Sequence, residues 1–159
     1  MTDPLQPLHA FRFRVRFTRS GGEGGQEDVC GGAFAECTGL ESSMEPKAIK
    51  AGGMNYGVVQ RAGPVSFATV VLKRGMTKTP DLFRWYQLVA GGAYALRLSA
   101  ELVVLDTAGE PALTWGLDHC LPVKFKAADL NARGTEIGIE ELHLAHEGLR
   151  LYVAPAGAS

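Results

Sequence analysis

Paired cysteines are absent from this sequence of 159 residues, and net charge is nearly absent too. The 3 cysteines include no CxxC pair. They fit small buried side chains in a reducing compartment better than a secreted disulfide scaffold. The 16 Lys and Arg residues nearly match the 17 Asp and Glu residues, so the formal net charge is -1. This balance argues against bulk nucleic acid or an anionic membrane as the main partner, and we infer no nucleic-acid specificity.

Long apolar runs are also lacking. No run approaches the ~18 residues of a membrane-spanning helix, so we expect no membrane span. The first residues have neither the basic nor the apolar region of a signal peptide. We therefore expect synthesis and assembly in the cytoplasm, and any release from the cell would use a route other than ordinary secretion.

Aromatic residues are few, at 8%, whereas glycine is abundant, at 20 residues. That is about one residue in eight, against a usual ~7%. Such a composition favours strands and turns over long helices. The length is close to the ~150 residues typical of one domain, so we interpret 1–159 as a single domain.

Strict alternation of apolar residues with arginines predicts the first strand. The apolar face carries Phe11, Phe13, Val15 and Phe17. The other face carries Arg12, Arg14 and Arg16. This charged face has two interpretations: a solvent-exposed surface that keeps an edge strand from aggregating, or an ion-pairing surface for a neighbouring subunit or a cargo.

The next segment, 19–32, has almost no apolar content and predicts a flexible, glycine-rich surface loop. It lacks the Lys-Ser/Thr ending and the following helix of a phosphate-binding loop, so we infer no nucleotide site. Residues 1–10 are interpreted as an N-terminal extension, and 154–159 as a flexible tail.

Residues 41–62 predict a long hairpin whose turn contains Gly52 and Gly53. Its strands are poorly hydrophobic, and its apolar residues have few neighbours to bury them. An isolated two-stranded ribbon is marginal in water. We therefore expect this hairpin to be either disordered or completed by another molecule.

One short helix is predicted after Thr79, a plausible N-cap, with Gly91 ending it in a left-handed conformation. Further strands are predicted over 65–73, 95–105, 113–126 with a bend at Pro122, and 136–153 with a bulge near Glu140. The pattern favours a mainly β fold, an antiparallel barrel or sandwich with one helix at its side. The expected structural core includes Phe13, Phe34, Trp85 and Trp115.

No arrangement of residues points to catalysis. His143 and His146 would share a face on a helix, but the surrounding alternation predicts a strand, on which an odd spacing separates them. No serine lies in a Gly-x-Ser-x-Gly sequence. We therefore expect no catalytic residues, no metal site and no cofactor. Two alternatives stay open: a hydrolase using one of these histidines, and a monomeric β-barrel that binds a small ligand in its mouth.

A series of motifs in a characteristic order resembles the tail tube proteins of contractile-tailed phages. The resemblance extends from about Phe11 to Leu149, and is strongest to the inner-tube proteins of extracellular contractile injection systems. The motifs are Phe11-x-Phe13-x-Val15, Phe34-Ala-Glu-Cys-Thr-Gly-Leu40, Gly52-Gly-Met-Asn55, Val71-Leu-Lys-Arg-Gly75, Trp85, Asp106-x-x-Gly109, Trp115, Pro122 and Ile139-Glu-Glu-Leu-x-Leu144.

This resemblance implies a non-enzymatic subunit of a rigid inner tube, built from stacked hexameric rings around a lumen. It implies a tail-tube β-barrel or sandwich with a protruding hairpin that contacts neighbouring subunits. The implied partners are further copies of the chain, the sheath protein, baseplate hub, spike and cap proteins, and a protein cargo in the lumen. The assembled particle would be phage-like and able to leave the cell.

The predicted hairpin over 41–62 corresponds to the inter-subunit hairpin of that family. The residues expected at this contact are Met44, Ile49, Gly52, Gly53, Met54, Asn55 and Tyr56. The arginine face of the first strand would then meet a neighbouring subunit or line the lumen. The long loop over 19–32 leaves a second position open, that of a tube-initiator subunit joining the tube to the baseplate hub.

Overall fold

The computed structural model describes residues 12–19, 27–50, 52–53, 57–92 and 97–153, with only the backbone over 27–33. Within these ranges lie twelve strands and one helix. They are β1 (Phe13–Arg19), β2 (Glu27–Ala33), β3 (Glu36–Thr38), β4 (Ser42–Met44), β5 (Lys47–Ile49), β6 (Val59–Arg61), β7 (Val65–Phe67), β8 (Val70–Gly75), α1 (Asp81–Ala90), β9 (Leu98–Leu105), β10 (Pro111–Lys126), β11 (Ile139–Ala145) and β12 (Gly148–Val153).

All strand pairs are antiparallel, and β10 joins two sheets. The first sheet has the order β2-β1-β9-β10-β12, and the second has the order β10-β11-β8-β3. A strand can serve two sheets only if it bends between them. The register of β10 against β9 shifts between Leu117 and Cys120, where His119 has a φ of 50°. The predicted mainly β, antiparallel fold with one short helix is confirmed.

The core lies between the two sheets and is closed by α1. Trp85 of α1 is 1% exposed, and its ring centroid lies 5.0 Å from that of Phe17 in β1. Removing a buried aromatic side chain of this kind typically costs ~3–5 kcal/mol of stability. Burial also confirms Phe34 as a core residue, at 6% exposed. The rest of the core consists mainly of Leu and Val residues from β8, β9 and β11.

Phe13 and Trp115 are less buried than the sequence predicts, because they pack against the core from its margin. Phe13 lies at the first position of β1, opposite Val104. Trp115 lies between Leu102 and Leu151, and Leu151 belongs to the edge strand β12 and is itself 47% exposed.

The predicted loop over 19–32 is wrong at half of its positions, which belong to strands. Arg19 ends β1, and Glu27–Ala33 form β2, which pairs with β1 so that Val15 lies opposite Gly32 and Phe17 opposite Cys30. An antiparallel ladder is made by backbone groups, so low apolar content does not prevent pairing along a sheet edge. Residues 20–26, the predicted extension 1–10 and the predicted tail 154–159 lie outside the described residues.

Three further boundaries differ from the sequence prediction. The strand expected over 65–73 is divided into β7, which belongs to the hairpin, and β8, which belongs to the second sheet. No bulge interrupts β11, whose pairing with β8 is continuous from Ile139 to Leu144. Pro80, not Thr79, is the N-cap of α1, and the positive φ after the helix belongs to Gly92, not Gly91. At 10 residues α1 is far too short to cross a membrane, and the described ranges hold no other candidate helix.

Arg74, only 5% exposed, connects β8 to both β11 and α1. Its Nε donates a hydrogen bond to Glu140 Oε1 at 2.6 Å, and its other guanidinium nitrogens donate to the Asp81 carboxylate. The guanidinium carbon also lies 5.6 Å from the ring centroid of Phe34. Burial raises the pKa of Asp81, but the hydrogen bonds and charge of Arg74 outweigh that effect, so the pKa is lowered below its ordinary value.

The structure contains a long hairpin where the sequence predicts one. Two short ladders form it: β4 with β7, which places Met44 opposite Val65, and β5 with β6, which places Ile49 opposite Val59. Its base therefore extends beyond the predicted 41–62 to Phe67. Every described residue from 41 to 62 is exposed, so this part of the hairpin projects from the barrel without lying on it.

Close contacts fix the base of the hairpin. The ring of Phe67 in β7 lies 5.0 Å, centroid to centroid, from the ring of His146, which follows β11. His146 Nδ1 donates a hydrogen bond to the Gly148 carbonyl at 3.0 Å. A Cβ on Gly63 would collide with the carbonyl oxygen of Glu45, because the two sides of the hairpin approach each other closely at these residues.

We expect Asp81→Asn to destabilise the subunit by about 1–3 kcal/mol at neutral pH, since a buried charged donor loses its charged partner. Because the folded pKa of Asp81 is lowered, its contribution is present above the ordinary value of 3.8 and disappears as the pH falls through the folded pKa. Urea unfolding of dissociated subunits at pH 7, 5, 4 and 2 would measure this as a gap between wild type and variant that closes in acid. The exposed Asp129→Asn serves as control. A gap that stays constant down to pH 2 would contradict the prediction.

We expect Gly63→Ala to open the base of the hairpin, because the added methyl group displaces the backbone at Glu45. Trypsin should then cleave after Lys47 and Arg61 at least several-fold faster than in the wild type, as measured by mass spectrometry of the fragments. The matched control is Gly52→Ala, where a Cβ meets nothing within 4 Å. Equal cleavage rates in the two variants would contradict the prediction.

Candidate assembly surface

The hairpin carries several exposed apolar side chains. Cross-strand neighbours lie on the same face of a ladder, so Ile49 and Val59, 42% and 46% exposed, form one apolar pair. Met44 and Val65, 52% and 47% exposed, form a second. A ribbon with two such pairs and no core of its own has the character of a protein interaction surface.

The structure brings the predicted contact residues together only in part. Met44 and Ile49 lie on paired strands of the hairpin, and Gly52 and Gly53 lie at its turn, where Gly53 has a φ of 88°. Met54, Asn55 and Tyr56 lie outside the described residues.

The outer half of the hairpin is also strongly basic. Between residues 46 and 62 the sequence contains Lys47, Lys50 and Arg61, and no Asp or Glu. The hairpin's two carboxylates, Glu41 and Glu45, lie at its base, so the positive charge is confined to its outer part. A partner of the hairpin should therefore offer both apolar surface and carboxylates.

The arginines of the first strand lie on the outer face of the first sheet, where Arg12, Arg14 and Arg16 are all exposed. Arg16 lies opposite Glu101 of β9. Farther across the same sheet, Arg150 Nε donates a hydrogen bond to Asp118 Oδ2 at 3.0 Å. This face is therefore polar and charged, in contrast to the apolar face that meets the core.

The first sheet has two edges that are open within the described part of the chain. Strand β2 pairs only with β1 there, and β12 pairs only with β10. At the end of β12 the side chains of Leu151, Tyr152 and Val153 are 47%, 52% and 66% exposed. An open edge offers backbone donors and acceptors to another chain, so both edges are candidate pairing sites between copies.

A cavity that the sequence did not reveal lies on the second sheet, at the end opposite the base of the hairpin. Residues 127–135, which lie between the strands predicted over 113–126 and 136–153, form one wall of this cavity of about 860 Å³. Its lining includes Lys73, Glu141 and Ile137. Such a cavity arises from contacts between segments distant in the chain, which periodicity does not detect.

His143 and His146 both lie among residues that build the fold. His143 pairs across β11 with Val71 of β8, and His146 lies against Phe67 at the base of the hairpin. Over the described ranges, no three His, Cys, Asp or Glu side chains cluster as metal ligands would. The barrel interior between the sheets is filled by core side chains such as Trp85 and Phe17, and the cavity described above lies outside it.

Comparison with known proteins connects these features. Residues 9–150 match the family described as T4-like virus tail tube protein gp19. A search of curated proteins gave no match. An anti-feeding prophage baseplate structure contains a chain that is 25% identical, with a TM-score of 0.73 over 96% of this chain and 98% of that chain.

More distant structures share the fold. A chain from the sheath–tube complex of an extracellular contractile injection system is 17% identical, with a TM-score of 0.71 over 95% of each chain. A crystal structure of an Hcp protein is 11% identical, with a TM-score of 0.53 over 90% of this chain and 99% of that one. Since the family match spans nearly the whole chain and the fold agrees with it, this protein belongs to the T4-like tail tube family and is a structural, non-enzymatic subunit of the tail tube of a phage or contractile injection system.

Proposed function

We propose that this chain forms hexameric rings that stack into the rigid inner tube of a contractile injection system. The observation that carries the proposal is the exposed apolar hairpin, which has no core of its own. Burying it against the next ring would stabilise the hairpin and connect the rings. A contact between two different surfaces, repeated with a rotation, does not close and gives a filament.

Within a ring, the open edges at β2 and β12 support pairing between neighbours. Joining these edges around a closed ring leaves none to aggregate. Arg12, Arg14 and Arg16 then face either a neighbouring subunit or the lumen, through which a protein cargo passes. The low net charge of -1 suits self-assembly, because copies repel each other little.

The tube also needs outer and terminal partners. The similar chains come from a sheath–tube complex, a baseplate and a tube-terminating cap. By analogy, the partners of this chain are a sheath protein, baseplate hub and spike proteins, and a cap. The particle would be assembled in the cytoplasm and act outside the cell.

A second candidate is the tube-initiator subunit, which joins the tube to the baseplate hub. The observation that favours it is the higher identity to the baseplate chain, 25%, than to the sheath–tube chain, 17%. Labelling the chain in assembled particles separates the candidates. Label along the whole tube supports the bulk subunit, and label only at the baseplate supports the initiator.

We expect Ile49→Ser combined with Val59→Ser to leave the subunit folded but to prevent ring stacking, because it removes one apolar pair from the hairpin. Electron microscopy should show isolated rings in place of tubes. The melting temperature of dissociated subunits should change by no more than about 4 °C, since each substitution at an exposed position usually costs within about 0.5 kcal/mol. The matched control is Gln60→Ser, whose side chain lies on the opposite face of the same strand. Full-length tubes from the double variant would contradict the proposed role of the hairpin.

A further inference from the structure

The cavity described above is an ordered surface feature with a charged floor. On the outer face of the second sheet, Glu36, Lys73, Glu141 and Lys126 lie in one row across four strands. Lys73 Nζ lies 3.6 Å from Glu36 Oε2 and 3.4 Å from Glu141 Oε1. The floor therefore alternates in charge, and its one central lysine is already matched by two carboxylates.

The wall over this floor is held in place by backbone contacts. The amide of Met76 donates a hydrogen bond to the Gly138 carbonyl at 2.8 Å, which attaches the wall to the end of β8. A Cβ on Gly138 would come within 2.8 Å of the Ala128 side chain. The Arg133 amide donates to Asn131 Oδ1 at 3.0 Å and forms a tight turn. The wall is thus a defined structure around an open volume of about 860 Å³.

The cavity carries both kinds of group that the hairpin requires. The lining is mixed in charge: the exposed carboxylates of Asp129 and Glu136 lie there together with the exposed cations Lys126 and Arg133. Ile137 and Ile139 also line it and are 78% and 42% exposed. The hairpin offers the complement: cations at Lys47, Lys50 and Arg61, and the apolar pair Ile49 and Val59.

The hairpin and the cavity lie at opposite ends of β11. At one end, His146 contacts Phe67 at the base of the hairpin, and at the other, Ile139 lines the cavity. The six residue steps from 139 to 145 span roughly 20 Å in an extended strand. In copies stacked along the direction of β11, the end that carries the hairpin in one copy would face the end that carries the cavity in the next.

We propose that this cavity is the receptor for the hairpin of a second copy of this chain in the adjacent ring. The inference rests on the proposed function and deepens it, since it identifies the surface that receives the hairpin. Carboxylates of the receptor pair with the hairpin lysines, while Ile137 and Ile139 cover the pair Ile49 and Val59. Each subunit has one hairpin and one receptor, so the contact repeats along the tube.

The first test reverses one receptor charge. We expect Glu136→Lys to form rings but to lose tubes longer than a few rings, and Lys50→Glu in the same chain to restore them. The control is Glu110→Lys, an exposed glutamate outside the cavity lining. Tube lengths and ring counts come from electron microscopy, and melting curves establish that each variant is folded. Wild-type tube lengths for Glu136→Lys would overturn the proposal.

The second test locates the contact by cross-linking. The variant Ile49→Cys with Ile137→Cys should give, on oxidation of tubes, a ladder of disulfide-linked multimers on a non-reducing gel. Either single variant should give none, and isolated rings of the double variant should give none. A ladder from isolated rings, or no ladder from intact tubes, would overturn the proposal. If wild-type protein forms neither rings nor tubes, the proposed function itself is wrong.

Discussion

The structure depends on one constraint: the hairpin between β3 and β8 carries apolar side chains that the subunit cannot bury. Ile49 lies opposite Val59 and Met44 opposite Val65, and all four are more than a third exposed. A two-stranded ribbon of this kind is marginal in water by itself. We propose that this hairpin is buried only in an assembly, in keeping with the membership of this chain in the tail tube family.

The rest of the subunit provides a rigid base from which the hairpin projects. Strand β10 belongs to both sheets, and the buried Arg74 connects β8 with β11 and the start of α1. A buried ion pair stabilises the fold only when its hydrogen bonds and opposite charges offset the cost of removing it from water. A barrel held together in this manner suits the proposed rigid tube better than a loosely packed one would.

Sequence reasoning predicted the parts of the fold that local patterns control. The cap signals at Thr79 and Gly91 located the helix to within about one residue at each end, and Gly52 and Gly53 identified the turn of the hairpin. It missed β2, because pairing along a sheet edge requires backbone groups and little side-chain signal. It also missed the cavity, which depends on Gly138 meeting Met76 and Ala128 from elsewhere in the chain. The proposed contact residues were predicted as a segment of the sequence, whereas the proposed receptor could be identified only from the structure.

The central claim is that isolated subunits complete one another by stacking into a tube. Electron microscopy of the purified protein, concentrated at neutral pH, tests it most directly. The account predicts six-fold rings and stacked hollow tubes whose rings are connected by the hairpin. A compact monomer at every concentration, with no assembly in the presence of baseplate and sheath proteins, would contradict it.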